Sequence, residues 1–69
     1  MMNFNSKKLT FILSEHEISQ SQLSQELGKA KGTVSGYVNG TIQPPFSVIC
    51  KMADVLGVGV DYFRDDRNE

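Results

Sequence analysis

Sixty-nine residues, 39% of them apolar, make one small domain (1–69) whose core has to be compact, because a chain this short hides only about 60% of its unfolded surface. One cysteine rules out an internal disulfide framework and points to a reducing compartment, one histidine beside it is too few for a metal site, and no stretch approaches the roughly 20 apolar residues that span a bilayer. The net charge of −1 is uneven: residues 1–50 hold Lys7, Lys8, Lys29 and Lys31 against Glu15, Glu17 and Glu26, and the acidic excess lies in residues 51–69.

The N-terminal MMNFNSKKL lacks the apolar run and cleavage site of a signal peptide, so a cytoplasmic protein is expected. Asn5 or Ser6 serves as a helix cap, and Leu9, Ile12, Leu13 and His16 follow the i, i+3, i+4, i+7 pattern of a first helix ending near His16. Phe4, just ahead of the cap, extends that apolar face. Ser19 with Gln22 three residues later has the spacing of a capping box, so a second helix covers about 20–27 and Gly28 ends it. Lys29 and Ala30 form a turn into a third helix over about 31–39, stopped by Gly40. The prolines in 41–45 forbid a helix there, and Pro45 suits the start of a fourth over about 46–56. Its apolar set is Phe46, Ile49, Cys50, Ala53 and Leu56, flanked by Met52 and Val55. Gly57 ends it, and Val58, Val60, Tyr62 and Phe63 indicate a last short helix over about 60–64. The ordered core is expected over about 5–64, with a charged tail at 65–69. The result is an all-α bundle of five short helices.

Residues 19–40, SQSQLSQELGKAKGTVSGYVNG, carry the most information. Leu23 and Leu27, and likewise Val34 and Val38, are four residues apart and stack on the inward side of two helices joined by a tight turn. The second of these helices turns Lys31, Gly32, Thr33, Ser35, Gly36 and Asn39 away from that side. A small, hydrogen-bonding, mildly basic face fits a DNA major groove without steric conflict.

This segment, followed by ADVLGVGVDYF at 53–63, resembles the lambda-repressor/Cro-like (XRE-type) helix-turn-helix family, and the likeness runs over about 6–64. The resemblance implies a compact five-helix lambda-repressor-like bundle and a transcriptional regulator binding a palindromic operator in double-stranded DNA through its third helix. It implies that Gln20 touches the DNA backbone and supports the reading helix. Lys31, Gly32, Thr33 and Gly36 match positions that meet base edges, with Lys29 and Ser35 beside them. Asn39 matches a phosphate contact, as do the backbones of Gly40, Thr41 and Gln43. Three departures stand out. Gly32 and Gly36 offer no side chains, which shifts base readout onto Lys31, Thr33 and Ser35. Ala30 replaces a Ser or Thr cap at a cost of about 1 kcal/mol. Leu13 and Val38 stand where many members pair a buried arginine with a glutamate, and because both are apolar no buried charge is left unpaired.

Other chemistry is excluded. The serines have no histidine in motif with them, and GKAKGT lacks the preceding strand and the length of a phosphate loop, so no enzyme and no cofactor are expected. His16 reads as a packed or capping residue and Cys50 as a small core residue. Tolerating Gly32 and Gly36 within nine residues points to a surface that something approaches closely; the plainer reading is that one of them lets another helix pack close. Two adjacent aromatics on a short helix cannot both face inward, so Tyr62, with Val58 and Val60, is expected to form a twofold interface in a homodimer, at least on DNA. The low positive charge and acidic tail motivate a rival reading, a protein-binding helix-turn-helix module acting as an antirepressor or as the partner of another regulator.

Overall fold

In the computed structural model, which describes residues 4–64, four α-helices follow in order: α1 (Ser6–Glu15), α2 (Gln20–Leu27), α3 (Lys31–Asn39) and α4 (Phe46–Leu56). The fifth element is a single 3-10 turn, Val60–Phe63, rather than an α-helix. Its bonds run from Tyr62 N–H to Gly59 C=O and from Arg64 N–H to Asp61 C=O, each 3.0 Å. Four residues give an α-helix too few internal bonds to persist, and Arg64 instead turns extended to meet Phe4 in an antiparallel bridge. The tail expected at 65–69 lies outside the described residues.

Local chemistry accounts for the helix starts. The Asn5 side chain accepts from the N–H groups of Lys7 (2.9 Å) and Lys8 (3.3 Å) at the head of α1. At α2 the capping box closes in both directions, Gln22 N–H to Ser19 Oγ at 3.1 Å and Ser19 N–H to Gln22 Oε1 at 2.8 Å. Ala30 and Pro45 begin α3 and α4 without any side-chain cap.

All four helices end alike. In each, an amide two or three residues past the helix end reaches back to a carbonyl five residues earlier: Ile18 to Leu13, Lys29 to Ser24, Thr41 to Gly36, and Val58 to Ala53, at 2.9–3.0 Å. This closure requires one left-handed residue. Gly28, Gly40 and Gly57 supply it at three ends, while at the first Glu17 takes φ 55°. His16, placed in the core edge by its spacing, is an exposed C-cap instead, because the chain has already begun to turn there.

The core is built from Leu9, Ile12 and Leu13 of α1, Leu23 and Leu27 of α2, Val34 and Tyr37 of α3, five residues of α4, and Phe63. α3 packs against α1 and α2, while α4 packs against α2 and the 3-10 turn. On α4 the buried stripe is Val48, Ile49, Met52, Ala53 and Leu56. Phe46 is 62% exposed and Cys50 is exposed, so neither belongs to the core. The stripe centres on Ile49, Met52 and Leu56, and at about 100° per residue Phe46 and Cys50 fall on its far edge. Val38, matched with Leu13, is half-buried whereas Leu13 is buried.

The two ends of the described chain are joined. Phe4 stacks on Phe63 at 5.4 Å between ring centroids, and Asn5 N–H donates to Phe63 C=O at 2.7 Å. Lys8 Nζ donates to Arg64 C=O at 3.1 Å. Phe63 is thus the inward-facing aromatic, fully buried, and Tyr62 meets it edge-on at 5.3 Å.

Candidate nucleic-acid interface

The geometry of the α2–turn–α3 unit follows from Gly28. With φ 66° and ψ 32°, Gly28 ends α2 and sends the chain through Lys29 and Ala30 into α3. Leu23 and Leu27 from below, with Val34 and Tyr37 from α3, anchor the two helices to one core. Packing those residues inward leaves Gly32, Ser35, Gly36 and Asn39 on the opposite side of α3.

The residues assigned to DNA contacts are largely polar. Lys29, Lys31, Gly32, Asn39, Thr41 and Gln43 are exposed, and Gln20, Thr33 and Ser35 are half-buried. Asn39 Nδ2 donates to Ser35 Oγ at 3.4 Å, a pairing one turn apart that lines both up along the face. Thr41 Oγ1 donates to Gly36 C=O at 3.4 Å. Residues 29–43 contain two lysines and no carboxylate. Ala30 makes no side-chain hydrogen bond to the head of α3, so no cap occupies the first-turn amides at the positive end of the helix.

Gly36 differs from the other residues assigned to this face: it is buried. A Cβ there would run into Ile42, at 2.6 Å from Cγ1 and 3.1 Å from Cβ. Gly36 makes room for a loop residue rather than for another helix, and a Cβ at Gly32 would meet nothing within 4 Å. Gly36, matched to a position that meets base edges, is covered here by Ile42. Sequence reasoning passed over Ile42, whose signal was its place two residues after the helix-ending glycine and opposite a residue with no side chain.

Val58, Val60 and Tyr62 are half-buried and packed against the core, each with only part of its surface outward. Among the described residues the large exposed apolar side chains are elsewhere: Phe11 (58%), Ile42 (43%) and Phe46 (62%). Among the described residues no helix is long and apolar enough to cross a membrane, and no cluster of metal-binding side chains occurs.

Residues 12–63 match the family model described as "Helix-turn-helix". The fold is similar to the crystal structure of a transcriptional regulator from Listeria innocua, with a TM-score of 0.84 and 19% identity over 100% of this chain and 64% of that one. The chain therefore spans less than two thirds of the Listeria protein. It is also similar to a candidate DNA-binding protein from Bacteroides fragilis, with a TM-score of 0.80 and 25% identity, covering 94% of this chain and 100% of that one. Curated protein sequences yield no match.

Proposed function

Because this chain belongs to the helix-turn-helix family, we propose that it is a sequence-specific DNA-binding regulator of transcription, of the Cro or short-repressor type, acting in the cytoplasm on a palindromic operator. The observation that carries this reading is the outward face of α3. It is polar, is flanked by exposed Lys31 and Lys29, and has no carboxylate in residues 29–43 to repel phosphate. An apolar face at Gln20, Lys29, Lys31 and Asn39 would have suited a protein partner instead.

The roles follow from position. Lys31 and Thr33, at the head of α3, read base edges together with Ser35, and Gly32 admits the groove closely. Gln20 at the head of α2, Lys29 in the turn, Asn39 at the end of α3, and Thr41 and Gln43 beyond it hold phosphates. Few lysines imply modest affinity and a shallow dependence on salt. No metal or cofactor takes part, and the role is binding rather than catalysis. Two copies act together through Val58, Val60 and Tyr62, which places two α3 helices about one helical turn apart on DNA. Sedimentation showing a strict monomer, both free and bound to its site, removes the dimer.

Selection of bound sequences from random duplexes at two salt concentrations tests the main reading. A palindromic motif with spaced half-sites establishes it. Enrichment of nothing, even at low salt, favours the rival reading of a partner-binding antirepressor, for which exposed Phe11 and Phe46 offer apolar contact.

A further inference from the structure

The carbonyl of Gly36 is the hub of the chain after α3. Gly40, Thr41 and Ile42 all donate their backbone N–H groups to it, Thr41 at 3.0 Å and Ile42 at 3.1 Å. With Gly40 left-handed at φ 82°, the three bonds fold the chain back along the helix it has just left. Ile42 is thereby pressed onto Gly36, where any Cβ would collide with it. Gly36 lies on the outward side, one turn from open Gly32 and one residue from Ser35. Yet Ile42 does not vanish into the core: it is 43% exposed, an apolar group in an otherwise polar face.

We propose that Ile42, a residue of the loop rather than of α3, is a specificity-determining contact that reads the C5-methyl group of a thymine in the major groove. This rests on the reading of α3 as the DNA-facing helix. The chemistry selects the target. Base edges in the major groove present hydrogen-bond donors and acceptors, and their one apolar group is the thymine methyl. Lys31, Thr33 and Ser35 suit the former; the branched side chain of Ile42, carried at the place a helix side chain would otherwise fill, suits the latter. Gly36 makes the substitution possible by removing its own side chain. Phosphate is a poor alternative for Ile42, since an isoleucine has nothing to donate to it.

The test uses a site selected with the wild-type protein, in which each thymine is replaced singly by deoxyuridine. The expected result is one thymine per half-site at which loss of the methyl weakens wild-type binding about four-fold, the worth of burying one carbon. Ile42→Ala should bind the thymine and uracil sites equally, and Ile42→Val should show a smaller penalty than wild type. Ile42→Val removes a single methyl, so it keeps the test open if the alanine variant fails to fold. Gly36→Ala, which dislodges Ile42 without removing it, should lose the penalty as well. A uracil penalty of the same size in Ile42→Ala, or no penalty at any thymine, overturns the role of Ile42 and leaves DNA reading by α3 standing. Failure of selection to enrich any sequence overturns both.

Discussion

Gly32 and Gly36 are one turn apart on the same helix, and the same substitution should stabilise at Gly32 but not at Gly36. Glycine in a helix interior costs roughly 0.5–1 kcal/mol against alanine, because the unfolded chain loses more freedom on folding. At Gly32 an added Cβ meets nothing within 4 Å, so Gly32→Ala should recover most of that, about 0.5–1 kcal/mol. At Gly36 the added Cβ stands 2.6 Å from Ile42 Cγ1, and displacing a packed side chain costs about 1–3 kcal/mol. Gly36→Ala should therefore be neutral to about 2 kcal/mol destabilising once the propensity gain is subtracted. In a domain of this size 1 kcal/mol moves Tm by roughly 4–8 °C, so far-ultraviolet circular dichroism melts separate the two variants. Binding gives a second axis. On the proposed interface Gly32→Ala puts a methyl where the groove comes closest, so it should melt higher and bind DNA more weakly. Equal melting temperatures for the two variants would refute the packing argument. A stabilised Gly32→Ala with undiminished binding would refute close approach at that position.

Three further outcomes follow from the same geometry. Glu17→Gly should stabilise by about 1 kcal/mol, since Glu17 is exposed and left-handed at φ 55°, whereas Glu17→Ala should not; urea titrations of both check the sign. Ala30→Ser should add about 1 kcal/mol, because Ala30 already has the extended φ −65° and ψ 147° that let a serine oxygen reach the α3 amides; a thermal melt of this variant shows it. Lys31→Ala should weaken binding, relax base preference at one position per half-site and make the salt dependence shallower by about one charge, as read from affinities across a salt series.

Most helix limits were legible in the sequence because the information is local. Ser19 and Gln22 form a capping box at any site where the chain starts a helix, and Gly28, Gly40 and Gly57 take left-handed conformations at little cost. Those few residues set the helix-turn-helix, and with it the polar outward side of α3. Properties that depend on where distant residues land were not legible. Glu17 has no local reason to be left-handed; Ile18, half-buried beyond it, is held by packing and by its bond to Leu13. α4 is apolar on so many positions that composition does not choose its face, and only packing against α2 and the 3-10 turn put Val48 and Met52 inside and left Phe46 and Cys50 outside. Phe63 is buried because the chain ends meet, 59 residues apart in the sequence as Phe4 and Phe63. Ile42 reaches the face of α3 only because the loop folds back on a helix with no side chain at Gly36. A pattern along one strand of sequence says which way a single helix points its residues; it takes the assembled domain to say what stands on top of them.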